Sequence, residues 1–454
     1  MSHIVLIPYP IASKLNPTFE IAHRLKAEGH QITVVGASGL KETTEAQGFP
    51  FILAGESGGT SAPVASRSRL RRLLPASKAR LDAAADQLGM QGFADLLGAL
   101  RPDLVLIDVE QHKYILSAVP TGFPVALIST MVSLVKRPGL PPAHLYVQPK
   151  VGWQGSLIGI ELLWMRYRLR KAFLRLRDRT RRDGLDKLSV LRHHARRAGF
   201  DFQANADLHQ WLIPFSYRRL TVFSTLIRAF DFPHVPAKQQ IYVGAIIARD
   251  RREVVEGENA DAERLEALIA RHRPDAKARR LVYCSFGAFF TGDDTAFVQR
   301  LIEAFGERAD WDVILGLGGR ADPTSLGRLP PNVHVFRWAP QVRALEAADC
   351  ALIHGGITSI NECISQGVPM VVYPFHTTDQ YGSAARIAYH RLGIVGDRRT
   401  DDARTVVAHV GAVLADPAYR ARLESMRELV DRDTREKTAV RAIETFIRTA
   451  HGQR

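Results

Sequence analysis

The chain has 454 residues, a length that predicts two or three domains. Hydrophobic residues make up 46% and charged residues 24%, a composition that excludes wholesale disorder and is typical of a soluble globular protein. No apolar run approaches the roughly 18 residues that a membrane-spanning helix needs, and the N-terminus lacks the features of a signal peptide. The three cysteines give neither a disulfide framework nor a metal-ligand spacing. We therefore expect a cytoplasmic protein.

The net charge of +14 is concentrated in two stretches of the N-terminal half. Residues 161–200 contain thirteen basic and four acidic side chains, and residues 67–80 contain six basic and no acidic ones. In the longer stretch, arginines alternate with Leu, Trp, Tyr and Phe. This pattern predicts an amphipathic helix that lies on an anionic membrane surface or borders a cleft for an acidic ligand. A solvated helix face is the alternative for the shorter stretch, and nucleic acid is the weaker partner class because no recognition motif is present.

Short apolar runs alternate with helical patterns along most of the chain, which predicts parallel sheets covered by helices on both faces. In the first half the predicted elements are strands at Ile4–Ile7, Ile32–Val35, Leu104–Ile107 and Val125–Ile128, and a helix from Asn16-Pro17 to Gly29. The pattern restarts with strands at Leu281–Phe286, Trp311–Leu315, Val333–Phe336, Ala351–Ile353 and Met370–Tyr373, and helices at Phe297–Phe305 and Ser359–Gln366. We expect an α/β protein with two facing, doubly wound Rossmann-like domains at residues 1–247 and 263–428, a linker at 248–262 and a C-terminal helix within 429–454.

A candidate phosphate site follows the predicted strand that ends at Ile353. Two glycines, the second being Gly356, permit close approach of the backbone, and the following helix presents unpaired N–H groups with a partial positive charge. The side chains of His354, Thr358 and Ser359 can add hydrogen bonds. Glu362 lies one turn further along, where a carboxylate can bind ribose hydroxyls.

Two other polar clusters each follow a predicted strand. Trp338 can stack on a nucleobase and Gln341 can hydrogen-bond to it, while Asp379 and Gln380 can hold sugar hydroxyls. Ligands bind at the carboxyl ends of the strands in open parallel sheets, so these clusters and the phosphate site are expected in one cleft. A Gly-Gly turn alone is usually only a turn; the order of the three clusters is what indicates a nucleotide sugar.

The run from Trp338 to Gln380 resembles the donor-binding motif of family 1 glycosyltransferases, nucleotide-sugar-dependent enzymes with the GT-B fold. The resemblance extends to residues 281–287, with the sequence LVYCSFG, and to the N-terminal segment with Asn16-Pro17 and Gly29-His30. Phe230-Asp231-Phe232-Pro233 resembles bacterial members such as carotenoid and macrolide glycosyltransferases. The resemblance is weak over residues 148–226, where acceptor-binding elements vary in this family.

The resemblance implies a role for each residue of these clusters. Trp338 would stack on uracil, Gln341 would contact the nucleoside, and Glu362 would hold the ribose. His354, Gly356, Thr358 and Ser359 would hold the diphosphate beside Gly287, and Asp379 and Gln380 would hold the sugar of a UDP-sugar or dTDP-sugar, with no metal and no other cofactor. The C-terminal helix, from about Asp433 to Ala450, would pack on the first domain. The chain departs from the family pattern at Ala288, where Ser or Thr is common, and in one extra residue between Pro374 and Asp379.

The catalytic base is the point at which this sequence differs most from the family. The family uses a His in the first loop with an Asp partner, and the corresponding positions here are Lys14 and Asp108. An ordinary Lys has a pKa of about 10.4, and a neighbouring carboxylate favours its charged form, so we expect a Lys14–Asp108 ion pair and not a proton-accepting Lys14. Three alternatives remain. Lys14 attracts an acidic acceptor; Asp108, Glu110 or His112 takes the proton; or the site binds sugar nucleotide without efficient transfer.

The sequence therefore predicts an inverting glycosyltransferase that moves a hexose from a nucleotide diphosphate to a small, partly apolar acceptor, with acidic acceptors included. Contact with a membrane surface is expected through residues 161–200. The alternatives are a non-catalytic sugar-nucleotide-binding protein and a basic membrane-surface protein on the same scaffold. A sugar-nucleotide epimerase fits the run from Trp338 to Gln380 less well.

Overall fold

The computed structural model describes residues 1–55, 76–249, 258–272, 279–287, 295–319, 323–375 and 379–452. Some of the predicted features lie outside these ranges. They are most of the basic stretch at 67–80, most of the predicted linker at 248–262, Ala288, and residues 376–378 between Pro374 and Asp379.

The N-terminal half alternates strands and helices. Its strands are β1 (His3–Ile7), β2 (Gln31–Gly36), β3 (Phe51–Leu53), β4 (Leu104–Asp108), β5 (Val125–Ser129), β6 (Ala206–Asp207), β7 (Ser216–Tyr217), β8 (Val222–Ser224) and β9 (Gln240–Tyr242). Its helices are α1 (Ala12–Ala27), α2 (Lys41–Ala46), α3 (Lys78–Asp86), α4 (Phe93–Leu100), α5 (His112–Ala118), α6 (Leu157–Arg181), α7 (Lys187–Arg197) and α8 (Phe202–Asn205).

The C-terminal half repeats this alternation. Its strands are β10 (Arg280–Ser285), β11 (Trp311–Gly316), β12 (Val333–Phe336), β13 (Cys350–Ile353), β14 (Met370–Val372) and β15 (Gly393–Val395). Its helices are α9 (Glu258–Ala270), α10 (Thr295–Gly306), α11 (Gln341–Leu345), α12 (Ile357–Gln366), α13 (Gln380–His390), α14 (Ala403–Ala415), α15 (Pro417–Arg435) and α16 (Thr438–Gly452).

Each half contains one parallel sheet, as the continuous apolar runs predicted. The first sheet has the order β3-β2-β1-β4-β5-β8-β9 and the second has the order β12-β11-β10-β13-β14-β15. Strands β4 and β13 are buried along their whole length, because helices cover both faces of each sheet. The predicted α/β fold with two Rossmann-like domains is confirmed.

Strand order fixes where a ligand can bind. In the first sheet the order reverses between β1 and β4, and in the second it reverses between β10 and β13. Such reversals leave a crevice at the carboxyl ends of the two central strands, since the connections leave in opposite directions. Lys14 follows β1 and Asp108 is the last residue of β4, while Gly287 and His354 follow β10 and β13.

The end of the chain returns to the first domain. Residues Ala439, Val440, Ile443 and Ile447 of α16 are buried in one apolar cluster with Ile4 and other residues of the first sheet. The range from Asp433 to Ala450, predicted as one helix, is divided in the structure. Helix α15 ends at Arg435 and α16 begins at Thr438, because Lys437 between them has a left-handed backbone with φ of 54°.

Candidate functional site

A cleft of about 350 Å³ lies between the carboxyl ends of the two sheets. The first domain lines it with side chains that follow β1 and β4, including Lys14 and Glu110. The second domain lines it with all the predicted donor residues, namely Gly287, Trp338, Gln341, His354, Gly356, Thr358, Ser359, Glu362, Asp379 and Gln380. The sequence clusters therefore converge on one cleft. Asp108 lies behind its wall, with an exposed fraction of 1%.

The N-terminus of α12 forms the centre of the second domain's wall. Gly356 is its N-cap, so the first N–H groups of the helix point toward the cleft. The imidazole of His354 sits between two glycines. A Cβ on Gly356 would lie 2.6 Å from His354 Nε2, and a Cβ on Gly287, whose φ is 67°, would lie 3.0 Å from His354 Cε1. A larger side chain at either position would press on the ring, so the two glycines leave room for it, and this arrangement suits an anion at the helix N-terminus.

Two of the predicted nucleoside ligands hydrogen-bond to each other. Gln341 Nε2 donates to Glu362 Oε2 at 2.5 Å, and the Gln341 carbonyl oxygen accepts from the hydroxyls of Tyr283 at 3.4 Å and Ser359 at 3.5 Å. Glu362 is 2% exposed and Gln341 is 9% exposed. The network fixes the Glu362 carboxylate at the edge of the cleft.

Helix α1 contacts α12 through a bond that depends on Pro17. The helix begins at Ala12 and not at Asn16-Pro17 as predicted, so Pro17 lies inside it. Proline has no N–H, and the carbonyl of Ser13, four residues earlier, cannot receive its usual helical hydrogen bond. The hydroxyl of Thr358 donates to this carbonyl instead, at 2.6 Å. Thr358 therefore joins the two domains through its side chain.

Lys14 lies in the first turn of α1 between two carboxylates. Its Nζ is 3.5 Å from Asp108 Oδ1 and forms a closer ion pair with Glu110. The expected Lys14–Asp108 ion pair is present, and the stronger contact with Glu110 is an addition. The Lys14 ammonium also lies over the Tyr9 ring, 4.6 Å from its centroid. Burial alone would lower the pKa of Lys14, but the charges of Asp108 and Glu110, with a contribution from Asp379, outweigh it and raise that pKa. Lys14 is therefore held as a cation.

The three candidate proton acceptors differ in their access to the cleft. Burial raises the pKa of Asp108 to about 6 despite the attraction of Lys14, and its side chain lies behind the wall. His112 is 3% exposed, with Nδ1 2.9 Å from the Tyr217 hydroxyl and Nε2 3.2 Å from the Ile213 carbonyl. Burial lowers the pKa of His112 to about 3. Glu110 is the only one of the three among the cleft's described lining residues, and its side chain is 33% exposed.

Asp379 and Gln380 stand at the start of α13, which is fastened to the first domain. Gln380 Oε1 accepts from the Phe375 N–H at 2.9 Å, and this bond orients its amide. Six residues beyond Gln380, Arg386 donates to Asp231 Oδ1 from Nε at 2.8 Å and from Nη2 at 2.6 Å. Burial favours a neutral Asp231, but Arg386 outweighs it and lowers the pKa of this carboxyl. The Phe230–Pro233 run is therefore an interdomain anchor for α13.

Sequence reasoning missed most of the first domain's wall. Tyr9, Thr130, Met131 and Trp211 line the cleft opposite the donor side. They come from segments with no common motif or spacing, so no local signal could have selected them. The aromatic and apolar side chains of Tyr9, Met131 and Trp211 make this half of the cleft suited to a partly apolar molecule. Across the parts of the chain that the structure describes, no cluster of three or more His, Cys, Asp or Glu side chains could hold a metal ion.

Part of the chain is similar in sequence to known proteins. Residues 299–442 match the family model for the C-terminal domain of erythromycin biosynthesis protein CIII-like proteins. The chain is 29% identical over 178 residues to oleandomycin glycosyltransferase from Streptomyces antibioticus, covering 39% of this chain and 40% of that one. It is 30% identical over 174 residues to the NDP-glycosyltransferase YjiC of Bacillus subtilis, covering 38% and 44% of the two chains. These matches thus span about two fifths of the curated relatives' length.

Solved structures match over nearly the whole chain. The glycosyltransferase of kitacinnamycin superposes with a TM-score of 0.65 at 23% identity, covering 98% of this chain and 99% of that one. The calicheamicin glycosyltransferase CalG4 superposes with a TM-score of 0.64 at 20% identity, covering 98% of both chains. At these identities the likeness establishes the fold, which is GT-B. The resemblance to family 1 glycosyltransferases of the macrolide type is confirmed by the C-terminal match and by this fold together.

Proposed function

We propose that this protein is an inverting glycosyltransferase that transfers a hexose from a UDP-sugar or dTDP-sugar to a hydroxyl of a small, partly apolar acceptor. The proposal is carried by one observation: two sites, one from each domain, face each other across a single cleft. The N-terminus of α12 with His354 supplies a diphosphate site on one wall, and Glu110 with an aromatic and apolar surface occupies the other. The relatives named above are glycosyltransferases, and a related structure, VinC, was solved with dTDP.

The proposed reaction needs one proton acceptor. The acceptor oxygen attacks the anomeric carbon, the bond from that carbon to the diphosphate oxygen breaks, and the acceptor's proton passes to the Glu110 carboxylate. The developing charge on the diphosphate is stabilised by the N–H groups at the start of α12 and by His354. Lys14 holds Glu110 in place and is not itself a base, because its neighbours keep it protonated.

The arrangement of charge favours a hydroxyl over a carboxylate acceptor. Lys14 is already compensated by Glu110 and lies 3.5 Å from Asp108. Among the described lining residues of the cleft there is no arginine and no second lysine, so an anionic acceptor would meet the Glu110 carboxylate at a disadvantage. Carboxylates are weaker bases than imidazole, so we expect acceptors with acidic hydroxyls, such as phenols, to react fastest.

The test is transfer from UDP-glucose and dTDP-glucose to phenols, alcohols and carboxylic acids, with products identified by mass spectrometry. Glu110→Gln is expected to lower kcat on alcohols and phenols by about 100-fold or more, within the usual contribution of a general base. His112→Asn is the control and is expected to keep kcat within a few-fold. If Glu110→Gln retains full activity, Glu110 is not the base. Donor binding without any product would favour the sugar-nucleotide-binding alternative.

A further inference from the structure

We propose that the outward face of α6 is a docking surface for an anionic lipid bilayer. Nine of the fifteen large hydrophobic side chains that are exposed in the described part of the chain lie between Val151 and Leu176. This concentration is unusual because exposed apolar side chains on a protein surface are normally scattered singly. The outer stripe consists of Ile158, Leu162, Met165, Leu169, Phe173 and Leu176, with exposed fractions from 39% to 72%.

The spacing of the outer stripe places it on a single helix face. Its members follow one another at intervals of three or four residues, which is the period of an α-helix. Trp153, 65% exposed, precedes the helix. Indole side chains favour the boundary between water and lipid, so this residue suits the same surface.

The outer stripe is distinct from the face by which α6 packs on its own domain, because the helix has a separate buried face. Trp164 donates its indole N–H to the Leu140 carbonyl at 2.7 Å, and Lys171 donates to the carbonyls of Gln210 and Leu212, both at 2.8 Å. These residues alternate with the outer stripe along the sequence and point to the opposite side of the helix. The helix is thus fixed to the domain by one face and presents the other to its surroundings.

The positive charge of α6 favours an anionic bilayer over a second copy of this chain. Helix α6 contains eight basic and two acidic residues, and Arg166, Arg170 and Arg177 lie beside the outer stripe on the helix surface. A second copy of this chain would bring two such helices face to face, and their arginines would repel. An anionic bilayer satisfies both features, since the apolar side chains enter the acyl boundary and the arginines meet the headgroups. In the described residues, none of the helices has the length and apolar content needed to cross a membrane, so the contact would be at the surface.

The experiment is sedimentation of the full chain with vesicles of phosphatidylcholine alone or mixed with phosphatidylglycerol. The wild type is expected to bind the anionic vesicles, and added salt is expected to weaken that binding. The double variant Leu169→Glu, Phe173→Glu is expected to weaken binding about tenfold or more. The triple variant Arg166→Gln, Arg170→Gln, Arg177→Gln is expected to weaken binding to anionic vesicles only.

Val235→Glu is the matched control, because Val235 is 74% exposed and lies outside the 151–176 segment; it is expected to bind like the wild type. Unchanged melting temperatures would show that the variants fold. Absence of binding by the wild type overturns the proposal, and so does self-association through the outer stripe, detected by analytical ultracentrifugation without lipid. UDP binding measured in parallel without lipid keeps this outcome separate from the proposed enzymatic function.

Discussion

The Asp231–Arg386 pair offers the most direct test of how the two domains are held together. Both side chains are buried, with exposed fractions of 0% and 1%, and the guanidinium donates twice to one carboxylate oxygen. The other carboxylate oxygen accepts from the Tyr242 hydroxyl at 2.8 Å, and the guanidinium lies 4.4 Å from the centroid of the Phe232 ring. Asp231→Ala would leave a buried cation without its anion.

The expected loss follows from the burial of the pair. Removing one partner of a buried ion pair costs about 3–5 kcal/mol, because the remaining charge is neither solvated nor paired. Replacing both partners by apolar side chains removes that penalty. We therefore expect Asp231→Ala to lower the free energy of unfolding by this amount. The double variant Asp231→Leu with Arg386→Met is expected to lower it by less than the sum of the two single substitutions. Urea unfolding followed by tryptophan fluorescence and circular dichroism measures both, and coincidence of the two signals tests for a two-state transition.

The control is the exposed ion pair between Arg343 and Glu266, at 2.7 Å. Glu266→Ala is expected to cost about 1 kcal/mol or less, because water screens both partners. A loss for Asp231→Ala no larger than that of this control would refute the argument. Since Arg386 and Gln380 lie on the same helix, a weakened anchor is also expected to raise the KM for the sugar nucleotide more than it changes the KM for the acceptor.

Three further predictions concern the cleft. Thr358→Val is expected to lower the free energy of unfolding by about 1 kcal/mol, because it removes the hydrogen bond between the domains. The loss is expected to be smaller in a Pro17→Ala background, where the new N–H of residue 17 can donate to the Ser13 carbonyl. Gly356→Ala is expected to weaken UDP or dTDP binding about tenfold by calorimetry, because its Cβ would lie 2.6 Å from His354 Nε2 and displace the ring. The folded state raises the pKa of Asp108 to about 6, so native protein holds this proton more tightly than unfolded protein. Stability is therefore expected to fall by about 2–3 kcal/mol as the pH rises from about 4 to about 6, and Asp108→Asn should remove that dependence.

Each of these predictions has an outcome that contradicts it. An equal cost of Thr358→Val with and without Pro17 would show that the proline does not free the carbonyl. For Gly356 the control is Gly411→Ala in α14, where a new Cβ meets nothing within 4 Å; equal nucleotide affinity of the two variants would remove the steric argument. A pH profile of stability that is the same for Asp108→Asn and the wild type would mean that another group titrates in this range.

Much of the donor side could be predicted because its chemistry is local in sequence. A glycine pair between a strand and a helix indicates the proposed phosphate site. His354 directly precedes this pair, and Glu362 lies on the helix that follows it. The nine strands that were predicted lie within one residue of their observed ends, because continuous apolar runs suit strands buried on both faces. The short strands β3, β6, β7, β8, β9 and β15 were not predicted. The Lys14–Asp108 ion pair followed from the electrostatics of the residue types alone.

The acceptor side could not be predicted in the same way, since its residues are brought together by the topology. Trp211 and Met131 come from segments far apart in sequence, and each has an ordinary local context. The predicted start of α1, at Asn16-Pro17, was also wrong. Proline is common in the first turn of a helix, so Pro17 indicated a helix start, whereas the structure uses it inside the helix.

The position of Pro17 inside α1 leaves a backbone carbonyl of the first domain available for a hydrogen bond from the second domain. A proline inside a helix costs stability unless the freed carbonyl finds another donor. Here the donor is Thr358, at the N-terminus of α12. Contact between the two domains therefore helps to offset this cost, and the bond lies one residue from Lys14. The same residue that weakens α1 on its own thus favours the arrangement in which Glu110 faces the donor wall.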